Sequence, residues 1–82
     1  MRQIVLLPQA VEDLDAIREP LYSEILNKIQ TLQDYPHLGA AMEGPFKGYR
    51  NLLADPFRVI YRELSKERIV IAYLFHCKRR MR

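Results

Sequence analysis

The feature that most limits what this chain can fold into is a switch in the period of its apolar residues. Ala10, Val11, Leu14 and Ile17 recur at helical spacing, and Leu21, Tyr22, Ile25, Leu26, Ile29 and Leu32 make a second, broader stripe of the same kind. After Gly48 the helical period is gone, and short runs rich in β-branched and aromatic residues take over. Helices in the first half and strands in the second imply an α+β fold, in which helices are segregated to one face of a sheet.

Punctuation residues set the predicted boundaries. Gln3 to Leu7 is a short apolar run ending at Pro8 and reads as a buried strand. A first helix follows from Gln9, with Glu12, Asp13 and Asp15 turned away from its apolar stripe. Pro20 interrupts, because proline suits only a first helical turn. A second helix runs from about Pro20 to Asp34 and ends at Pro36 and Gly39. The pair reads as an antiparallel helical hairpin. Residues 36–48 hold all three glycines and read as loop.

Three strands are then expected: Tyr49 to Leu53, Phe57 to Arg62 after the Asp55-Pro56 turn, and Arg68 to Phe75 after Ser65-Lys66-Glu67. The last is apolar on both faces, as a central strand should be. Strict alternation puts Ile71 and Tyr73 on one face of it, with Tyr61 supporting the neighbouring strand. The same rule puts Arg58 and Arg62 on the face opposite Phe57, Val59 and Tyr61. The expected architecture is an N-terminal strand, a helical hairpin and a three-stranded antiparallel meander, forming one sheet with helices on one face.

A chain of 82 residues is expected to make a single domain, residues 1–82. At this size only roughly 60–65% of the unfolded surface is buried, so the core is small and open to help from a partner. One cysteine forms no internal disulfide, which points to a reducing cytoplasm. No run approaches the ~18 apolar residues of a membrane span, and no basic-then-apolar leader opens the chain; no membrane association is expected.

Charge is unevenly spread. Residues 1–46 carry three basic and seven acidic groups, and residues 47–82 carry ten basic and three acidic ones, so net −4 faces net +7. Lys78, Arg79, Arg80 and Arg82 crowd the end. Such asymmetry points to an anionic partner for the second half, either nucleic acid or an acidic protein segment.

Several chemistries are excluded by residue content. One cysteine and two distant histidines give no metal pattern, and Gly39, Gly44 and Gly48 lack phosphate-loop spacing, so no metal or cofactor is expected. No nucleophile elbow is present around Ser23 or Ser65. The remaining set is arginine on strands: Arg50, Arg58 and the corner formed by His76 and Arg79. If the strands pair as a meander, these groups converge. Guanidinium groups beside a histidine bind phosphate and stabilise charge that develops in phosphodiester cleavage. Exposed strand arginines are also common as plain solvated residues, and Cys77 and His37 read as packing and loop residues.

The ordered set of short segments resembles the RelE/ParE superfamily of toxins from type II toxin–antitoxin pairs. The matching pieces are Ala10 to Ile17, Leu32 to Gly39, Gly48-Tyr49-Arg50-Asn51-Leu52, Phe57 to Arg62, and Ile69 to Arg80 ending Leu-Phe-His-Cys-Lys-Arg-Arg. The resemblance implies the sheet-and-hairpin fold and a cognate antitoxin partner. Two branches are implied in turn. In ribosome-dependent RNases similar to RelE, Arg50, Arg58 and Arg79 fall at matching positions, and His76 fits the terminal histidine of other RNase branches; the catalytic set would then be Arg58, His76 and Arg79. A further mid-strand lysine would fall at Leu52, and the chain ends at Arg82 before any terminal tyrosine.

The gyrase-poisoning branch, similar to ParE, ends its last strand much as His76-Cys77-Lys78-Arg79-Arg80 does, although the hairpin here is short for it. Missing catalytic positions outweigh hairpin length, because a length change is tolerated and a lost catalytic group is not. The leading expectation is therefore a toxin that inhibits DNA gyrase, with Arg50, Lys78, Arg79, Arg80 and Arg82 as binding residues. The alternatives are an mRNA endonuclease acting on the ribosome, and a partner-binding module of the same fold without toxicity.

Overall fold

The structure, a computed structural model, describes residues 2–78. In chain order the elements are β1 (Gln3–Leu6), α1 (Pro8–Asp15), α2 (Leu21–Gln30), β2 (Ala40–Ala41), β3 (Arg50–Ala54), β4 (Phe57–Ser65) and β5 (Arg68–His76). Short 3-10 turns at Thr31–Gln33 and Gly44–Phe46 fill the connections. Pro8 opens α1, a position where its missing N–H is not needed.

The five strands form one sheet in the order β1-β5-β4-β3-β2. The β3-β4-β5 meander is antiparallel, as the turns at Asp55-Pro56 and Ser65 to Glu67 require. β1 runs parallel to β5, pairing Gln3 with Arg68 through to Leu6 with Ile71. β5 thus lies between β1 and β4, with Ile69, Ile71 and Leu74 on the face that the helices cover. β2 was not expected: two alanines of the predicted 36–48 loop pair with Asn51 and Arg50 at the sheet's outer edge.

Both helices pack on one face. Ala10, Leu14, Ile25, Ile29 and Leu32 share a core with Leu52, Val59, Tyr61, Ile69, Ile71 and Leu74. α1 lies over β1 and β5, and α2 over β3. Each large aliphatic side chain buried here contributes about 1.5–3 kcal/mol relative to exposure.

Alternation fails at one point in β5. Tyr61 faces Ile71 and Ile60 faces Tyr73, which leaves Ala72 without an opposite residue. The extra residue is a bulge, and it reverses the facing of everything after it. Ile71 points into the core, whereas Tyr73 and Phe75 point to the other side and Leu74 and His76 return to the helix side. The expectation that Ile71 and Tyr73 share a face is corrected for this reason.

A second correction concerns Asp13. It does not turn away with Glu12 and Asp15, but accepts the backbone N–H of Leu74 at 2.9 Å. β1 ends at Leu6, so β5 runs on past its partner, and α1 supplies the missing acceptor from its own side chain.

Candidate functional site

The sequence-predicted residues fall into separate places. Arg58 projects from the face without helices, level with Leu53 and Phe75, and its guanidinium reaches the Asn51 side-chain oxygen at 3.3 Å. His76 projects to the helix side, where its ring meets Phe57 edge-on with centroids 5.2 Å apart. Its Nδ1 accepts the Lys78 backbone N–H at 3.1 Å, so Nε2 is the nitrogen that carries hydrogen in the neutral ring. A shallow cavity of about 190 Å³ lies there between Asp13, Ala16, Ile17, Phe57, Leu74 and His76.

Arg50 is also on the helix side, opposite Tyr61, but at the far end of the ladder from His76. It donates to the Gly39 carbonyl at 2.7 Å and so belongs to a loop anchor. Lys78 is exposed in the turn after β5. Arg79, Arg80 and Arg82 lie outside the described residues. The predicted convergence of Arg50, Arg58 and His76 is therefore corrected: the bulge at Ala72 turns His76 away from Arg58, and four positions of β4 separate His76's partner Phe57 from Arg50's partner Tyr61.

What the structure does bring together is an anchor around Tyr61. Its ring is fully buried, and its hydroxyl donates to the Pro36 carbonyl at 2.8 Å and accepts the Gly39 N–H at 2.9 Å. Burial pushes the Tyr61 hydroxyl pKa up from the ordinary value of 10.0; the Gly39 N–H and the charge of Arg50 oppose the shift. Gly39 is indispensable to this contact, since a Cβ there would stand 2.8 Å from the Tyr61 ring and 3.0 Å from the Asn51 backbone. The same loop is tied by His37 to Glu63 at 3.2 Å, and Glu63 also accepts from Arg2 at 3.3 Å. Sequence reading missed Tyr61 as a polar anchor. The available signal was its place in a buried run beside Ile60, where a tyrosine hydroxyl must find a partner.

The open face has a different character. Arg58 and Arg62 flank Ile60, and the Arg62 guanidinium carbon sits 5.5 Å from the centre of the Tyr49 ring. Among the described residues no carboxylate pairs with either arginine, and no group of three or more His, Cys, Asp or Glu side chains gathers to hold a metal. Among the described residues no helix is long and apolar enough to cross a membrane.

The architecture has close counterparts. The toxin–antitoxin complex RelBE2 from Mycobacterium tuberculosis matches with a TM-score of 0.82 and 17% identity, over 92% of this chain and 96% of that one. The chromosomal ParDE system from P. aeruginosa matches with a TM-score of 0.75 and 24% identity, over 93% and 96% of the two chains. The intact E. coli RelBE complex matches at 0.76 and 9% identity, again over 93% and 96%. At these identities the likeness is one of fold. No curated protein is a recognisable sequence relative of this chain. The sequence pattern of the family described as "ParE toxin of type II toxin-antitoxin system, parDE" matches residues 4–81, nearly the whole length. With the family pattern matched over nearly the whole chain, and the fold in agreement, the chain belongs to the ParE toxin family of type II toxin–antitoxin systems.

Proposed function

We propose that this toxin arrests growth by inhibiting DNA gyrase, and that a cognate antitoxin neutralises it. The observation that carries the choice of target is the separation of Arg58 from His76 by the sheet itself. A phosphodiester on one face cannot touch both groups, so the pair does not offer charge stabilisation and proton transfer to one reacting centre. A gyrase inhibitor needs no proton transfer. It needs a contact surface, and the basic end with Lys78, Arg79, Arg80 and Arg82 supplies one.

The antitoxin reading draws on family membership and on neighbours that are themselves toxin–antitoxin complexes. Expression in growing cells tests the target. Gyrase inhibition predicts induction of the DNA-damage response with protein synthesis continuing at first. An immediate stop in protein synthesis without DNA damage would favour the ribosome and its mRNA instead.

A further inference from the structure

β1 is an outer strand of the sheet, and its free edge carries unmet backbone groups. Gln3 donates its N–H to the Glu67 carbonyl at 2.7 Å, and Leu7 donates to the Ile71 carbonyl at 3.0 Å. The parallel register places Val5 in the same set. Ile4 and Leu6 therefore aim their N–H and C=O groups away from the sheet, where no described residue bonds to them. The Arg2 carbonyl, next along this edge, is taken by the Gln33 side chain at 3.0 Å.

Edge strands are commonly guarded by a charge, a proline or a bulge. β1 has none of these between Gln3 and Leu6. The Arg2 guanidinium is engaged by Glu63 and the Gln33 carbonyl, both at 3.3 Å, and Pro8 stands beyond the strand. Beside the edge, on the helix side, lies a groove of about 360 Å³ where Ile4 and Leu6 meet Leu26, Ile29, Gln30 and Gln33. No charged side chain lines it. The sheet's other edge, β2, is only two residues long and offers no such run.

We propose that the β1 edge pairs with the same edge of a second copy of this chain, antiparallel, about a two-fold axis at Val5. The free groups fit this occupant because Ile4 and Leu6 stand symmetrically on either side of Val5. In that register Ile4 exchanges both N–H···O bonds with Leu6 of the second copy, and Leu6 does the same with Ile4. Val5 faces Val5 across the axis, and Gln3 faces Leu7, which is 40% exposed in the single chain. Ile4 and Leu6 pack on the helix side, so the two uncharged grooves join there. No like charges are forced together, since Arg58 and Arg62 lie on β4, with β5 between them and the axis. The contact is isologous, closes on itself and leaves no further copy of this edge to pair. It is also small, so the association is expected to be weak, at about 10–100 µM.

The test is sedimentation of the full chain from about 5 to 500 µM, a range that spans the expected affinity. The mean mass of the wild type rises toward twice that of one chain. Val5→Lys and Val5→Glu, each shown to be folded by its melting curve, associate at least about tenfold more weakly, because like charges then face each other across the axis. Mixing the two variants restores the dimer. A neutral variant gives an independent reading. Val5→Cys in a Cys77→Ser background closes a disulfide between two copies under mild oxidation, because residues opposed in a non-hydrogen-bonded pair have Cα atoms about 4.5 Å apart. Leu64→Cys in the same background, at a position 51% exposed, stays largely uncoupled.

A wild type that remains a single chain at the highest concentration overturns the proposal. So does a dimer that Val5→Lys leaves unchanged, or a Val5→Cys chain that couples no faster than Leu64→Cys. If the wild type stays monomeric while Val5→Lys loses binding to the protein of the adjoining reading frame, the edge receives a different strand and the proposal fails.

Discussion

Arg58 and His76 occupy adjacent rungs of the β4–β5 ladder and yet project from opposite faces of the sheet. Arg58 is level with Phe75, and His76 with Phe57, so alternation alone separates them. Their rungs are adjacent because Ala72 adds one residue to β5. Were Ala72 paired with Ile60 in an unbulged ladder, Arg58 would stand level with Leu74, and His76 would share its face.

Ala72 can therefore be deleted without turning any neighbour over, because Ile71 keeps Tyr61, Tyr73 keeps Ile60 and Leu74 keeps Val59. The expected loss is well below the about 2–5 kcal/mol that a buried leucine's removal costs, and in a domain this small each kcal/mol lowers the melting temperature by roughly 4–8 °C. A fall of about 10 °C or more in the deletion variant would show that the end of β5 depends on the bulge.

Tyr61→Phe leaves the buried Gly39 N–H and Pro36 carbonyl without the hydroxyl that joins them. The expected loss is about 1–3 kcal/mol by urea unfolding. The variant also changes the response to alkali. The hydroxyl pKa is raised in the folded state, so its contribution is fully present below pH 10.0. Above that pH the unfolded chain loses the proton first, and stability falls as pH rises toward the folded value. The wild type should lose stability above pH 10 more steeply than Tyr61→Phe; parallel curves would count against a buried, neutral Tyr61.

Gly39→Ala tests the same anchor from the other side. A Cβ at 2.8 Å from the Tyr61 ring has to push the ring or the loop aside. Overpacking of this kind costs about 1–3 kcal/mol. Proteolysis should then cut the 36–48 loop faster than in the wild type, and an unchanged cleavage rate would contradict the anchor.

Asp13→Ala removes the acceptor that α1 supplies to Leu74. A loss of about 1–3 kcal/mol is expected, together with faster hydrogen exchange at the Leu74 amide. Asp13→Asn keeps an oxygen in place and should recover much of the protection. Equal exchange in all three proteins would mean that α1 does not cap β5.

Much of this architecture was legible because it follows from periodicity. The stripes from Ala10 to Leu32, the two-sided apolar run of β5 and the turns at Pro56 and Lys66 each act locally. What was not legible depends on contacts distant in sequence. The pairing of β1 with β5 is long-range, and β2 forms only because β3 offers an edge to Ala40 and Ala41. The bulge has no signature in an apolar run where Ile71, Ala72 and Tyr73 suit either face. That one residue decided which candidate groups could meet. Asp13 looked like a surface acid because its partner lies 61 positions away, where β5 outruns β1.

Gyrase inhibition through the basic end, rather than nuclease action through His76, is the activity proposed for this toxin. The most direct test is DNA supercoiling by purified gyrase beside mRNA cleavage on translating ribosomes, with the full chain, His76→Gln and the chain ending at Cys77, all shown to be folded. The full chain and His76→Gln are predicted to inhibit supercoiling, the truncated chain to lose inhibition, and all three to leave mRNA intact. Cleavage of mRNA by the full chain and by the truncated chain, lost in His76→Gln and with supercoiling untouched throughout, would contradict it.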